Sequence, residues 1–406
     1  MLRFKKEDGS NYPNLDKILF KNVFYDFQYG MNSAAISYDG ENKYIRITDI
    51  DEISHKYLYD NVVSPSGNLE EKYLVSKNDI LFARTGASVG KTYSYDEKDG
   101  KLYFAGFLIR GNVKETYNSK YIFYQTLTKN YKEWVKKISV RSGQPGINAN
   151  EYASYSFIGT ECIEEQKKIA DFLTEIDNVI ECSEKEIKSL EQQKKGLIQK
   201  IFSQEIRFTK DDGYNYPVWN KCKLGTKIEI ERGGSPRPIE DFITVGEGIN
   251  WIKIGDAPKY GNRITSVKEK IKYEGKSKSR EVFKGDLLLS NSMSYGKPYI
   301  LDVNGCIHDG WLVLKDRNNN FDKRYLCEVL SSEYVIKQYN MFACGSTVHN
   351  LNKDIVSNVY VFIPCIEEQK KIADFLSSFD EAIDAAKEEL ETWKNIKKGL
   401  LQQMFE

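Results

Sequence analysis

The loop formed by residues 83–92, ARTGASVGKT, is the stretch of this sequence closest to a phosphate-binding motif. A P-loop reads G-x-x-x-x-G-K-[ST], because glycine amides wrap the phosphates while the lysine and the hydroxyl meet the terminal phosphate and Mg²⁺. Thr85 stands where the first glycine belongs. Residues 92–96 are typical of a strand, although a P-loop must open a helix. A nucleotide hydrolase built on Lys91 and Thr92 is therefore a weak hypothesis.

The sequence offers few residues for other chemistry. Its three histidines, His55, His308 and His349, are far apart and predict neither a duplicated triad nor a metal cluster. No G-x-G-x-x-G motif follows a strand, and the Asn/Asp-Pro-Pro-Tyr/Phe tetrapeptide of amino-methyltransferases does not occur. His308 is typical of a core or turn histidine rather than a base. We therefore expect no catalytic residue, no metal and no cofactor.

The amino-acid composition limits the classes of protein to which this chain can belong. Lys+Arg and Asp+Glu both total 59, so attraction to a polyanion must come from local patches. The seven cysteines never form C-x-x-C, which indicates reduced thiols, and no run approaches the ~18 apolar residues of a membrane span. These features predict a cytoplasmic protein without a membrane segment, divided into two or three domains.

The chain repeats itself at an interval of half its length. Residues 162–173 and 365–376 both read CIEEQKKIADFL, and the match continues through KKGL at 194–197 and 397–400. Residues 207–217 also echo residues 3–13. The repeat predicts two tandem units, each a variable part followed by a near-constant tail. The predicted segments are a first variable domain (1–161), a first helix (162–203), a second variable domain (204–364) and a second helix (365–406).

The two tails are predicted to be long helices, because apolar residues recur at alternating steps of four and three over more than four heptads. About 36 residues at 1.5 Å each give rods of roughly 54 Å. Lys194 and Lys397 occupy equivalent polar positions in the seam, where a polar residue fixes register. We expect the helices to pack on each other; the alternative is that each packs on its own domain. The predicted seam residues are Ile169, Leu173, Ile176, Ile180, Ile187, Leu190, Leu197, Ile201, Ile372, Leu376, Phe379, Ile383, Leu390, Trp393, Leu400 and Met404.

The variable parts share a layout of strands and helices. Strands are predicted at residues 44–47, 79–82, 251–254 and 286–289, and one helix in each part at 119–138 and 322–342. The counterpart of the opening loop, residues 290–299, keeps Gly-Lys but has Pro298 in place of the threonine. Since no hydroxyl remains for Mg²⁺ in this copy, the shared feature is a strand and a polar turn rather than a nucleotide site.

The order of these elements resembles the specificity (S) subunit of type I restriction–modification systems, over the whole chain. One departure from the family is Gly159-Thr160-Glu161, which stands where a proline usually precedes the helix. The residues that carry the resemblance are the Glu-Gln pairs at 165–166 and 368–369, the loop at 77–91 with its degraded copy at 284–297, and the strands at 44–49 and 252–256.

The resemblance implies a non-catalytic DNA reader of α+β class. Two globular α/β target recognition domains would be joined by two long antiparallel coiled-coil helices, related by a pseudo-two-fold internal repeat. Each domain would read one half of a bipartite site in double-stranded DNA. The helices would hold two modification (methyltransferase) subunits, and restriction subunits would join to make the nuclease. A P-loop-like nucleotide-binding enzyme and a coiled-coil scaffold that binds no DNA stay open as alternatives.

Candidate DNA contacts are sought on polar turns and in basic patches. Lysine and arginine neutralise phosphates, whereas arginine reads guanine and asparagine or glutamine reads adenine. An ordinary structural turn is the alternative for each of these residues. The candidates are Arg84, Thr85, Ser88, Lys91, Arg141, Ser142 and Gln144 in the first half, and Arg232, Ser235, Lys276, Lys278, Arg280, Asn291, Ser292, Ser294, Tyr295, Lys297, Ser346, Thr347, His349 and Asn350 in the second.

Overall fold

The structure is a computed structural model that describes residues 2–291, 296–343 and 350–405. The chain forms two compact units. The first unit comprises residues 1–181 and 391–406, and the second unit comprises residues 182–390. Each unit therefore contains the first part of one long helix and the last part of the other, whereas the four segments predicted from the repeat keep each helix whole. Those four segments stay a prediction.

The first unit is built from short strands and helices, after which the long helix α5 begins. Its strands are β1 (Asp16–Leu19), β2 (Phe24–Tyr29), β3 (Ala35–Ser37), β4 (Lys43–Ile45), β5 (Val63–Pro65), β6 (Asp79–Ala83), β7 (Thr92–Ser94), β8 (Leu102–Phe104), β9 (Leu108–Val113) and β10 (Ser156–Gly159). Its helices are α1 (Phe20–Val23), α2 (Ser119–Gln125), α3 (Lys129–Ile138), α4 (Ala149–Ser154) and the start of α5 (Ile163–Phe202).

The second unit follows the same plan with more strands. Its strands are β11 (Asn220–Lys223), β12 (Glu229–Arg232), β13 (Ile243–Thr244), β14 (Ile249–Ile252), β15 (Arg263–Ile264), β16 (Lys270–Ile271), β17 (Arg280–Val282), β18 (Leu287–Ser290), β19 (Pro298–Leu301), β20 (Gly305–Ile307), β21 (Trp311–Lys315) and β22 (Tyr360–Ile363). Its helices are α6 (Lys323–Ser331), α7 (Glu333–Ala343), α8 (Lys353–Asn358) and most of α9 (Ile366–Phe405).

One sheet forms the centre of each unit. In the first unit it is antiparallel with the order β2-β9-β6-β7, and in the second the order is β12-β21-β18-β19-β15. The central strands β6 and β18 are buried along their whole length, which explains the apolar runs at 80–83 and 287–289. Phe20 packs edge to face on Phe24 and Tyr155 beside the first sheet. Burial of each such ring contributes about 1.5–3 kcal/mol.

The α+β class and the duplicated layout are confirmed, with corrections to individual elements. The strand predicted at 79–82 is β6, but the strand predicted at 44–47 ends at Ile45 and continues as a short 3-10 helix. The single helix predicted in each variable part is wrong, because each is two helices. The Thr128 hydroxyl accepts the Tyr131 amide and so starts a new helix, and Ser332 accepts the Val335 amide in the same way.

Helices α5 and α9 each contain 40 residues, so they fill almost the whole of the predicted segments 162–203 and 365–406 and exceed the stretch used to predict the rod length. The Glu-Gln pair at each start is buried and ties the helix to its own unit. Gln166 accepts the Asn118 amide and donates to the Thr160 carbonyl, and Gln369 makes the equivalent bonds to Asp322 and Pro364. A buried glutamine therefore holds the start of each helix in the repeat.

Within each unit the two helices run antiparallel. In the first unit Lys397 of α9 pairs with Asp177 of α5 at 2.5 Å, and in the second Lys194 of α5 pairs with Asp380 of α9 at 2.5 Å. Every predicted seam residue is buried or half-buried. Several of them also pack into the core of a variable domain, as Leu173 does. The helices thus pack on each other and on the domains, which combines the two alternatives raised by the sequence.

Candidate nucleic-acid interface

The first unit has a cleft of about 730 Å³ beside the end of β6. Five chain segments that are far apart in sequence form its walls: the segment after β2, residues 44–48, the loop after β6, the turn between β8 and β9, and the loop that contains Gln144. Tyr29, Arg84, Phe107 and Gln144 line it together with small and polar residues. A side chain at any of these positions can therefore meet a ligand that enters the cleft.

A glycine in close contact with backbone fixes the shape of this cleft and of its counterpart. A Cβ atom on Gly30 would lie 2.2 Å from the Ala105 carbonyl oxygen, and one on Gly233 would lie 2.1 Å from the His308 carbonyl oxygen. Neither position admits a side chain without separating the two segments. The glycines therefore mark equivalent places in the two units, and Tyr29 corresponds to Arg232.

The second unit has a cleft of about 710 Å³ at the equivalent place. It is lined by Ser235, Arg237, Lys253, His308 and Asp309, with the buried Trp251 beside them. His308 is a half-buried turn histidine. Its Nδ1 accepts the Gly310 amide, and its Nε2 lies 2.8 Å from an Asp309 carboxylate oxygen.

Backbone hydrogen bonds establish a second pair of equivalent positions. The Arg84 amide donates to the Phe107 carbonyl (3.0 Å), and the Asn291 amide donates to the Gly310 carbonyl (3.0 Å). The carbonyls of Arg84 and Asn291 both accept an amide from a later loop. Arg84 therefore corresponds to Asn291, and the exposed Phe107 corresponds to the buried Gly310. The two clefts share a backbone but present different side chains.

Four of the predicted contacts in the first half lie in the first cleft. Arg84, Thr85, Ser88 and Gln144 all line it, although Gln144 is far from the others in sequence. Thr85 forms a backbone bridge with Gly146, which brings the two loops together. The structure therefore collects these four residues at one place.

The contacts of Lys91 within its own unit disfavour its predicted role as a DNA contact, which stays a prediction. Its side chain is buried, donates to the Ile50 carbonyl at 2.8 Å and forms an ion pair with Glu52 at 2.7 Å. This hydrogen bond and charge hold the pKa of the Glu52 carboxyl below its usual value. Thr92 begins β7, and its hydroxyl lies 2.7 Å from the Thr126 hydroxyl. The loop therefore has neither the free ammonium nor the helix start of a nucleotide site.

Arg141 uses its donors within its own turn. The guanidinium donates to the carbonyls of Ile138 and Val140 and forms an ion pair with Glu151 at 2.5 Å. Ser142 is exposed beside it. This geometry favours the ordinary structural turn over base reading at Arg141.

Three candidates of the second unit converge on Asp309. Its carbonyl accepts the Asn291 side-chain amide at 2.8 Å and the Arg232 Nε at 3.2 Å, and its carboxylate accepts the Ser235 hydroxyl at 3.0 Å. Asn291 is buried by this arrangement, so its predicted contact with DNA is disfavoured and stays a prediction. Arg232 is exposed.

The other candidates of the second unit do not join its cleft. Lys276 pairs with Glu281 and Arg280 with Glu231, while Lys278 lies over the Phe242 ring. The exposed Lys297 lies over the Tyr299 ring, and Asn350 is also exposed. These residues stay predictions as DNA contacts. The remaining candidates, which lie outside the described residues, are Ser292, Ser294, Tyr295, Ser346, Thr347 and His349.

Five residues that line the clefts were not among the candidates predicted from the sequence. They are Tyr29 and Phe107 in the first unit, and Arg237, His308 and Asp309 in the second. The sequence repeat contains information that indicates their positions. Gly30 and Gly233 stand at matching places after a strand, and an alignment of the two halves around them would have indicated both turns.

Comparison with known proteins identifies the family. The family model described as "Type I restriction modification DNA specificity domain" matches residues 30–192 and 217–392. The Type I restriction enzyme MjaVIII specificity subunit of Methanocaldococcus jannaschii is 26% identical over 371 residues, covering 86% of this chain and 83% of that protein. The putative type I restriction enzyme MjaX specificity subunit of the same organism is 27% identical, covering 81% and 78%.

Solved structures share the fold. The crystal structure of a type I restriction–modification S subunit from M. genitalium has a TM-score of 0.63 at 16% identity, covering 100% of this chain and 99% of that one. A chain from a structural study of complex assembly and conformational transition of the type I R-M system has a TM-score of 0.57 at 16% identity, covering 96% and 97%. None of the helices in the described part of the chain is long and apolar enough to cross a membrane. Because the family model matches most of the chain, once in each repeat, the chain belongs to the family of type I restriction–modification specificity subunits, whose role is recognition of the DNA target.

Proposed function

We propose that this protein reads a bipartite DNA site, with one half-site bound by each variable domain. The observation that carries the proposal is the pair of equivalent clefts. Gly30 and Gly233 shape the same backbone in both units, yet the side chains at the matching positions differ in charge and size. A duplicated scaffold with two different polar surfaces fits two different half-sites, since base edges are read by side-chain donors and acceptors.

The near-constant parts support a scaffolding role for two identical partners. The segment preceding each variable domain is fastened to the start of the following helix in the same way. Arg3 forms a bidentate pair with the buried Glu165, and Arg207 forms one with the buried Glu368. Two matching surfaces on one chain suit two copies of one modification (methyltransferase) subunit, to which restriction subunits are added to make the nuclease.

We further propose that the chain has no enzymatic activity of its own and acts in the cytoplasm. The nucleotide-hydrolase alternative rested on Lys91, whose ammonium is engaged by Glu52. The scaffold alternative without DNA binding leaves the two clefts without a role. The reactions of the complex then belong to its partner subunits.

Footprinting of the complex with its modification subunits tests the proposal. A split protected site with two short specific parts is the expected result. Exchanging residues 204–364 for the same segment of another family member should change one half-site and leave the other intact. Protection that does not depend on sequence, or changes in both half-sites, would contradict the proposal. Loss of nucleotide binding in Lys91→Ala would instead support the enzyme.

The long helices are proposed to set the spacing between the half-sites. A helix of 40 residues has a length of about 60 Å, which limits the separation to about 18 base pairs at ~3.4 Å each. Inserting four residues, about one turn, near Glu184 should change the preferred spacer and leave both half-site sequences intact. Methylome mapping of that variant measures both, and an unchanged spacer would show that the helices are not the ruler.

A further inference from the structure

Arg84 differs from the other arginines of the first unit in the hydrogen bonding of its guanidinium group. The Arg84 guanidinium makes no hydrogen bond or ion pair with any residue among 2–291, 296–343 and 350–405, and its central carbon lies 5.0 Å from the centre of the Tyr29 ring. The donors of Arg84 are therefore free within a cleft that a ligand can enter. The arginines of this unit whose guanidinium groups donate to carboxylate, amide or carbonyl oxygens are Arg3, Arg46, Arg110 and Arg141.

Tyr29 holds the free guanidinium in one place. A cation over an aromatic face is attracted by the electrons of the ring, and the planar guanidinium also stacks on it. The ring is itself fixed, because its hydroxyl accepts the Ala149 amide at 3.2 Å. Arg84 is thus oriented through an aromatic face, which leaves its hydrogen-bonding edge open.

Phe107 presents an exposed aromatic ring at the same cleft. Its side chain is 61% exposed although large apolar side chains usually lie in the core. The Arg84 amide donates to the Phe107 carbonyl, so the two side chains leave neighbouring points of the backbone. At the equivalent position the second unit has Gly310, so the backbone of this turn does not need the ring.

We infer that Arg84 and Phe107 determine the specificity of the first half-site, with Arg84 reading a guanine and Phe107 the methyl group of an adjacent thymine. Free parallel N–H groups match the O6 and N7 acceptors of guanine, and phenylalanine is one of the residues that contacts the thymine methyl. Tyr29 acts as a positioning residue for Arg84. The inference rests on the proposed function and assigns base chemistry to one cleft.

Modified bases test each contact without changing base pairing. The wild-type site is first selected from random duplexes with the full-length chain in complex with its modification subunits. Replacing the guanine by 7-deazaguanine removes only N7 and should weaken binding by about tenfold in the wild type. Replacing the thymine by deoxyuridine removes only the methyl group and should weaken it by about fourfold.

The protein variants should cancel these effects one by one. Arg84→Ala should lose roughly 5- to 150-fold in affinity and show no further loss with 7-deazaguanine. Phe107→Ala should be insensitive to deoxyuridine while still responding to 7-deazaguanine. Tyr29→Leu should weaken discrimination of the same guanine and no other base. Arg317→Ala, which removes an exposed arginine of the second unit paired with Glu229, is the control and should select the wild-type site.

The outcomes separate this inference from the proposed function. If the wild type selects no sequence, the proposed function itself fails. If the wild type selects a bipartite site and Arg84→Ala selects the same one, only the assignment of Arg84 fails. A uniform loss of affinity for all sequences in Arg84→Ala, with a smaller salt dependence, would make Arg84 a phosphate contact and overturn the inference. Arg84→Lys keeps the charge but not the fork, and should therefore lose specificity while keeping the salt dependence.

Discussion

The two units differ in the third residue that joins the ion pair between α5 and α9. In the first unit the Tyr124 hydroxyl donates to Asp177 at 2.8 Å, and the Lys397 ammonium lies 5.7 Å from the centre of the same ring. In the second unit the equivalent position on α6 is Glu328, whose carboxylate lies 2.9 Å from the Lys194 ammonium. One lysine therefore serves one carboxylate in the first unit and two in the second.

This difference shows which part of a repeat is free to change. The lysine–aspartate pair belongs to the near-constant helices and is the same in both units. The third residue belongs to a variable domain, where a neutral phenol has been exchanged for a carboxyl group. Burial raises the pKa of Glu328 to about 7, with Lys194 acting against this rise and Asp380 adding to it. The helix contact of the second unit should therefore depend on pH through Glu328, a group that the first unit lacks at this position.

Replacing Lys194 by methionine should give the largest effect. The substitution leaves the carboxylates of Glu328 and Asp380 together without their cation, and loss of one partner of a buried ion pair costs about 3–5 kcal/mol. Lys397→Met is the matched control in the first unit. It leaves Asp177 with the Tyr124 hydroxyl and should cost about 1–2 kcal/mol. Hydrogen exchange measured separately over α6 and α2 checks this, and equal losses would contradict the asymmetry.

The stability of the second unit should fall as pH rises. The pKa of Glu328 in the folded protein lies above its ordinary value of 4.5. At pH values between 4.5 and about 7, folding is therefore accompanied by uptake of a proton at this carboxyl group. The contribution of this protonated carboxyl group to the free energy of unfolding is fully present below about pH 4.5. It is lost as pH rises through about 7, and the loss amounts to up to about 3 kcal/mol. Glu328→Gln should remove this slope from denaturation of the second unit. Tyr124→Phe is the control, and a slope that survives Glu328→Gln belongs to another group.

The sequence was sufficient for the parts of the fold that depend on local pattern. The heptad spacing and the strand at β6 could be predicted because each lies within one continuous segment, and the repeat could be predicted because its two copies are identical over residues 162–173 and 365–376. The split of the helix predicted at 119–138 was missed, since it depends on a single hydroxyl, that of Thr128. Local propensity gives little warning of a cap within an otherwise apolar helical pattern.

The candidate site could be predicted only in part, because distant segments form it. Arg84 and Gln144 were both candidates, but their common cleft depends on the bridge between Thr85 and Gly146. The burial of Lys91 was missed because its partner, Glu52, is remote in sequence. Charge and residue type indicate which side chains can contact DNA. Tertiary contacts decide which of them are already occupied.

Arg232 tests whether the two clefts read DNA with different residues. It stands where the first unit has Tyr29, and within the part of the chain that the structure describes its guanidinium donates through Nε alone, to the Asp309 carbonyl. Arg232→Ala should cost about 1–3 kcal/mol of binding and relax one position of the second half-site alone. The control in the same unit is Arg317→Ala, an exposed arginine paired with Glu229. Relaxation of the first half-site in Arg232→Ala would contradict the assignment of one cleft to each half-site.

The two Gly-Lys loops give the smallest expected effect. Lys91 is buried against Glu52, whereas Lys297 is exposed over the Tyr299 ring. If Lys297 contacts a phosphate, Lys297→Ala should weaken all sequences alike and lower the slope of log affinity against log salt by about one. Lys91→Ala should leave that slope unchanged and instead destabilise the first unit, because it leaves Glu52 and the Ile50 carbonyl without their shared donor. Salt titration of both variants distinguishes these roles. Equal changes in slope would mean that the two lysines have the same role. A change confined to Lys297→Ala would mean that the same dipeptide stabilises the fold in one unit and binds DNA in the other.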